Sequence, residues 1–166
     1  MMQSFCSMKR GLAAAVTIAL LGGTAWAGGN HGGHHEAGTV QIGKPGNKAE
    51  VNRIVQLAMR ETDDAMMFQP DSISVAAGET ILLRLTNEGS IDHEFVMDTE
   101  AGILEHKASM EAAPEMVHAE PNSIRLAPGA TGEIVWTFTD AGDFVFACLL
   151  PGHYEAGMKG DLEVVR

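Results

Sequence analysis

From Val51 to the end of the chain, apolar and polar residues alternate in short runs that turn-forming residues separate. A period of two places successive side chains on opposite faces, which is the pattern of a half-buried β-strand. Strands are predicted at Ile54–Met59, Met67–Phe68, Ile73–Val75, Ile81–Leu85, His93–Met97, Ser123–Leu126, Glu133–Phe138, Phe144–Cys148 and Gly160–Val165. Short strands separated by Gly, Pro and Asn turns predict an all-β sandwich or barrel.

Residues 99–121 interrupt this pattern. The run from Ala101 to Glu111 has a composition that favours a helix, and Pro114 and Pro121 break it. We expect a partly helical insertion of a turn or two, placed before the later strands and lying across one end of the sandwich.

The first 27 residues have the features of a signal peptide. Lys9-Arg10 is followed by the apolar run Gly11–Gly23 and by the small-x-small pattern Ala25-Trp26-Ala27. The apolar run is too short for a spanning helix. We therefore expect cleavage after Ala27, a periplasmic protein and no membrane span after cleavage.

Residues 28–50 are predicted to be a flexible arm, and residues 51–166 the folded domain. The arm begins with Gly and His residues, and it has too few apolar residues to form a core. His31, His34 and His35 could form a weak metal site in the arm, or they could be incidental residues of a solvated tail.

The composition excludes some classes of partner. The chain has 11 basic and 22 acidic residues, and without Lys9 and Arg10 the balance is 9 against 22, a formal charge of −13. A chain this acidic has no surface for neutralising phosphates, so nucleic acid is not expected as a partner. The acidity favours solubility and could steer cations or basic partners.

Cleavage would also remove Cys6, which leaves Cys148 as the single cysteine. One cysteine cannot form an internal disulfide. A lone thiol in an oxidising compartment is vulnerable unless it is buried or occupied, and a bound metal fits best.

The predicted strand that ends at Cys148 is followed by a loop in which His153 and Met158 come at equal intervals, C-x4-H-x4-M. Thiolate, imidazole and thioether are the ligands that suit a redox-active copper. A second histidine must then reach the same point from elsewhere. His93 is favoured over His106 and His118, because a ligand on a strand is held more precisely than one on a loop.

Three other interpretations remain open at this stage. Zinc would accept Cys-His-His but gains little from a thioether. A cysteine nucleophile with a histidine base would leave Met158 unexplained. Finally, Cys148 could be a buried core residue, with His153 and Met158 incidental.

The run from Cys148 to Met158, together with His93-Glu94-Phe95 and the pattern Met67-Phe68-x-Pro70-x-x-Ile73-x-Val75, resembles the type 1 copper site and fold of the cupredoxins. The arm, the insertion and the signal most resemble the periplasmic copper-tolerance (CopI-like) cupredoxins. The resemblance implies a Greek-key β-sandwich of eight strands. It also implies one copper bound by His93, Cys148, His153 and Met158.

One position departs from the family pattern. Many blue-copper proteins have Asn or Ser directly after the first histidine, and this chain has Glu94. A carboxylate there would change the electrostatics around the ligands. No colour or reduction potential is therefore transferred from the family.

The insertion contains further soft ligands at His106, Met110, Met116 and His118. They could form a secondary copper site, most naturally for Cu(I), or they could serve packing and solvation.

These features lead to two functional hypotheses. The first is copper tolerance or homeostasis, by sequestering, oxidising or transferring copper, with copper ions and copper-handling proteins as partners. The second is one-electron transfer between periplasmic redox proteins, with Leu149, Leu150 and Pro151 forming an apolar docking patch around His153. No enzyme is predicted, and a cuprous-oxidase activity is the weaker alternative.

Overall fold

The computed structural model of the protein describes residues 42–113 and 120–166. Ten strands lie in these two segments: β1 (Gly43–Pro45), β2 (Arg53–Glu61), β3 (Met66–Gln69), β4 (Ser72–Ala76), β5 (Thr80–Asn87), β6 (His93–Asp98), β7 (Ser123–Leu126), β8 (Thr131–Phe138), β9 (Gly142–Ala147) and β10 (Lys159–Val165). The helix α1 (Glu100–Ala112) lies between β6 and β7, and a short 3-10 helix spans Lys48–Glu50.

The strands form two five-stranded sheets, which confirms the all-β prediction. The order in one sheet is β1-β8-β5-β2-β3, and in the other it is β4-β10-β9-β6-β7. The pairs β2–β5 and β4–β10 are parallel, and the other neighbouring strands are antiparallel. Because neighbouring strands are often not consecutive, the chain crosses repeatedly between the sheets, as in Greek-key sandwiches.

The pairing of β6 with β9 explains why distant residues can share a site. Val96 lies opposite Ala147, and the strands run antiparallel. His93 begins β6 and Cys148 directly follows β9. Both residues therefore lie at the same end of the second sheet, as the sequence predicted.

Three aromatic rings pack in the core between the sheets. Phe146 stacks on Phe95 with ring centroids 5.5 Å apart, and it meets Phe68 edge-on at 5.2 Å. Phe68 also meets Phe95 edge-on at 5.8 Å. Since β6 carries Phe95 and β9 carries Phe146, this cluster fixes the two strands that end at His93 and Cys148.

The sandwich begins before the boundary that the sequence placed at residue 51. Gly43 pairs with Phe138 and Pro45 with Trp136, and Ile42 is completely buried. With β1, the described chain has ten strands, not the eight that the resemblance implied. The sequence carries no signal for β1, because a three-residue strand shows no periodicity and forms only by pairing with β8.

The insertion is more helical than predicted, because α1 has 13 residues, or about three and a half turns. The Thr99 side chain caps its first turn by accepting a hydrogen bond from the Gly102 amide. Ile103 and Met110 are buried on its inner face. The helix ends at Ala112, two residues before Pro114, as expected for a proline that cannot continue it.

None of the helices in the two described segments combines the length and the apolar character needed to cross a membrane. The predicted signal peptide and residues 28–41 of the predicted arm lie outside the described residues.

Candidate metal centre

Three of the predicted donors converge at one end of the sandwich. The ligand atoms of His93, Cys148 and His153 all lie within 4.8 Å of one another. His93 Nδ1 is 3.2 Å from His153 Nδ1, which is 3.3 Å from Cys148 Sγ. His93 and Cys148 are completely buried, and His153 is half-buried.

The loop after Cys148 folds back on itself through backbone hydrogen bonds. The His153 amide donates to the Leu150 carbonyl at 3.0 Å, and the Met158 amide donates to the His153 carbonyl at 3.0 Å. Gly152, at φ +87°, supplies the left-handed residue that this tight turn needs. The loop therefore brings the chain at Met158 back beside Cys148, where the loop began.

Met158 completes this closure. Its carbonyl accepts a hydrogen bond from the Cys148 amide at 3.0 Å, and the residue is completely buried. The first and last residues of the C-x4-H-x4-M motif are thus joined through the backbone. This closure explains why equal spacing in the sequence becomes one cluster in space.

Near neutral pH, the buried thiol keeps its proton when no metal is bound. Burial raises the pKa of Cys148 to about 11, although amide donors oppose the shift. One of these donors is the Glu94 amide, 3.3 Å from Sγ. Burial also lowers the pKa of His153, with the neighbouring His93 as a further cause, and this shift favours the neutral imidazole that a metal ion requires.

These properties argue against a nucleophilic cysteine. Reactive thiols are partly exposed and have a lowered pKa, whereas Cys148 is completely buried and its pKa is raised. One buried thiol and two imidazoles, with their ligand atoms close together, instead fit a soft or borderline metal ion that replaces the thiol proton.

The raised pKa predicts how the stability of the metal-free protein depends on pH. The folded thiol has a pKa of about 11 against an ordinary value of 9.0, so its contribution is fully present below pH 9 and is lost as the pH rises through 11. We expect the free energy of unfolding to fall by about 1–3 kcal/mol over that range because of this group. Urea denaturation of the wild type and of Cys148→Ala, both metal-free, measures the difference, and parallel pH profiles would contradict the prediction.

Glu61 is a residue of the site that the sequence analysis missed. Its Oε1 atom is 2.8 Å from His93 Nε2, whereas the other ring nitrogen, Nδ1, meets His153. The pKa of Glu61 is lowered to about 2, chiefly by a hydrogen bond from the Ser90 hydroxyl, while burial acts in the opposite direction. The sequence offered no signal, because Glu61 resembles any charged residue that ends a strand at a turn.

Glu94, the position that departs from the family pattern, is buried, and it lies opposite Arg125 on β7. Its contact with the thiol is made by the backbone amide, so this link to Cys148 does not depend on the type of side chain.

The apolar patch expected around His153 is only partly present. Leu149 and Leu150 are 1% and 7% exposed and belong to the core, whereas Pro151 is exposed. The expectation of an exposed leucine pair was wrong, because both side chains pack inward below the turn.

Of the other predicted ligands, the structure describes two, His106 and Met110, which both lie on α1. His106 is half-buried on α1, with its Nδ1 atom 3.7 Å from the Glu120 carboxylate, and Met110 lies in the core. Met116, His118 and the arm residues His31, His34 and His35 lie outside the described residues.

Among the described residues, the sole group of three or more His, Cys, Asp or Glu side chains placed to hold a metal is His93, Cys148 and His153. The secondary site and the arm site stay predictions.

Comparison with known families supports the same assignment. The sequence model of the copper-binding proteins of the plastocyanin/azurin family matches residues 55–165. The chain belongs to this family. The family binds copper, so the cluster of His93, Cys148 and His153 is a potential type 1 copper site of a cupredoxin.

Similar proteins carry names from copper resistance. The chain is 47% identical over 133 residues to the copper-resistant cuproprotein CopI of Rubrivivax gelatinosus, covering 80% of this chain and 79% of that one. It is 35% identical over 152 residues to the protein of the same name from Pseudomonas aeruginosa, covering 74% and 82%.

Solved structures of other cupredoxins share the fold. The chain matches auracyanin B with a TM-score of 0.61 at 23% identity, covering 75% of this chain and 97% of that one. It also matches the dithionite-reduced auracyanin of Roseiflexus castenholzii with a TM-score of 0.58 at 25% identity, covering 69% and 97%. These likenesses confirm the cupredoxin-like sandwich.

Proposed function

We propose that this cupredoxin is a periplasmic copper-tolerance protein that holds one copper through His93, Cys148, His153 and Met158. The observation that carries the proposal is the buried cluster of one thiol and two imidazoles, closed by the loop that ends at Met158. The names of the similar proteins, which refer to copper resistance, support the role.

Each proposed ligand has a separate part. The Nδ1 atoms of the two histidines and the Cys148 thiolate would bind copper, and the Met158 thioether would supply a weaker fourth ligand. Copper held in this way would supply one-electron chemistry between Cu(I) and Cu(II). The chain itself excludes water from the thiol and presents two imidazoles beside it. It releases the thiol proton when the metal binds.

Burial of the ligands fits a tolerance role, because copper that is enclosed by protein cannot react freely with other molecules. The predicted signal peptide supports a periplasmic location, and the high negative charge attracts cations. Within this role, sequestration, oxidation and transfer are three different uses of the same site.

A one-electron shuttle is the second candidate. The half-buried His153 lies next to the exposed Pro151 and Gly152, so its ring edge is near a surface that a redox partner could reach. A shuttle does not need the histidine-rich arm, and this difference separates the two functions.

Deletion of residues 28–41 should therefore lower copper tolerance without changing the rate of electron transfer. The deletion must stop before Ile42, because Ile42 is buried in the core and Gly43–Pro45 pairs with β8. Tolerance is measured as the copper concentration that cells survive, and electron transfer as the stopped-flow rate with a soluble redox dye. Two results together would favour the shuttle. The deleted protein would keep full tolerance, and tolerance would fall only in a variant of a copper ligand that slows electron transfer.

A further inference from the structure

A polar bridge between the two sheets lies directly behind His93. Glu61 ends β2 in one sheet, and His93 begins β6 in the other. The bridge is the 2.8 Å contact between Glu61 Oε1 and His93 Nε2. Since the other ring nitrogen, Nδ1, faces His153, the imidazole lies between this carboxylate and the ligand cluster.

The Glu61 carboxylate is also held in place by hydrogen bonds that do not involve His93. It accepts hydrogen bonds from the Ser90 amide at 3.0 Å, the Ser90 hydroxyl at 2.7 Å and the Ile91 amide at 3.2 Å. These donors belong to the loop that leads into His93. The Glu61 side chain is only 19% exposed, so water competes little for these bonds.

This arrangement fixes which ring nitrogen of His93 carries the proton. A carboxylate can only accept hydrogen bonds, so the neutral imidazole must donate from Nε2. The lone pair is then on Nδ1, the atom that is 3.2 Å from His153 Nδ1. The contact between His93 Nδ1 and His153 Nδ1 does not by itself favour the Nε2–H tautomer, so the preference comes from Glu61.

Gly89 makes room for the bridge. A Cβ atom at position 89 would lie 2.2 Å from Glu61 Oε1, 2.9 Å from its Cδ and 3.1 Å from His93 Nε2. No side chain fits there without displacing the carboxylate. The loop cannot retreat easily, because the Gly89 amide donates to Asn87 Oδ1, and Asn87 Nδ2 is bonded to the carbonyls of Ile91 and Leu126.

We propose that Glu61 is a positioning residue of the copper site, which sets the tautomer and orientation of His93 in a cradle that requires glycine at position 89. The inference rests on the proposed function, because it takes His93 as a copper ligand through Nδ1. A carboxylate behind a histidine ligand makes the imidazole more basic, which strengthens metal binding and favours Cu(II) over Cu(I).

The first test needs no copper. In metal-free protein at about pH 8, where a free imidazole is neutral, ¹⁵N NMR of the His93 ring should show the Nε2–H tautomer. Glu61→Ala and Gly89→Ala should both lose this preference, since one removes the acceptor and the other displaces it. Glu61→Gln should keep it, because the amide oxygen still accepts a hydrogen bond.

The second test uses added copper. Glu61→Ala and Gly89→Ala should lower copper affinity by about 10- to 100-fold, the usual loss when an outer partner of a ligand is removed. Glu61→Gln should raise the reduction potential with a smaller loss of affinity, since it removes the charge and keeps the acceptor. The matched control is Glu88→Gln, because Glu88 pairs with Arg60 at 2.7 Å and is a nearby half-exposed carboxylate.

The outcomes separate this inference from the proposed function. If Glu61→Ala and Gly89→Ala keep the Nε2–H tautomer, or match Glu88→Gln in copper affinity and potential, the positioning role is overturned. If the wild-type protein shows no thiolate-to-copper absorption, the copper function fails. The tautomer measurement still stands as a test of the bridge in that case, because it is made without metal.

Discussion

Replacing Cys148 with alanine should abolish the intense visible absorption that Cu(II) gives with the wild-type protein and lower copper affinity by more than about 100-fold. The absorption arises from charge transfer between a thiolate and copper, and no other cysteine remains once Cys6 has been removed with the predicted signal peptide. The loss of affinity should exceed the 10- to 100-fold typical of outer partners, because a direct ligand is removed. Visible spectra of the mature protein with added Cu(II) measure the first effect, and competition with a coloured Cu(II) chelator measures the second.

His106→Ala is the matched control for this experiment. It removes one imidazole of the domain, on α1 and outside the cluster of His93, Cys148 and His153, and should leave the absorption unchanged. A band that persists in Cys148→Ala, or that disappears in His106→Ala, would contradict the assignment of the ligands. A colourless complex of the wild-type protein would contradict it as well.

Phe146→Ala should destabilise the metal-free domain by about 3–5 kcal/mol. The ring is completely buried and packs against both Phe68 and Phe95, so its removal leaves a cavity where the two sheets meet. Such a loss is a large fraction of the stability of a typical domain. Urea denaturation followed by circular dichroism gives the change in the free energy of unfolding.

Two further variants test whether packing is the cause. Phe146→Leu keeps most of the volume and should lose less than Phe146→Ala. Leu104→Ala removes an apolar side chain that is 50% exposed on α1, and it should change stability by no more than about 0.5 kcal/mol. Equal losses in Phe146→Ala and Leu104→Ala would show that the aromatic cluster does not support the fold as described.

The strands and three clustered donors were predictable because each has a local signal. A period of two in hydrophobicity follows from the geometry of a strand with one face in the core, and β4 and β10 show it directly. The motif from Cys148 to Met158 is local as well, since its spacing and its turn lie within a single loop. His93 could be paired with this loop because it begins a strand.

Features that depend on distant contacts were missed or misjudged. The short β1 forms only because β8 offers it a pairing edge. Leu149 and Leu150 are buried in the folded domain, and their place in the sequence, next to a turn, does not show whether they point inward or outward. The helix α1 is also longer than the predicted turn or two. No proline interrupts the chain between Glu100 and Ala112, and the prediction gave this too little weight.

The amino-acid sequence by itself determined the class of fold, because the periodicity of strands is a local signal. It also predicted that His93, Cys148 and His153 would lie together, which the structure shows. Only the tertiary structure decided that the thiol is buried with a raised pKa and that Glu61 stands behind His93 with Gly89 making room for it. The reason is physical. Burial and hydrogen bonding at this site depend on residues from both sheets, about 30 to 90 positions apart in the chain, and no local pattern records which of them will meet.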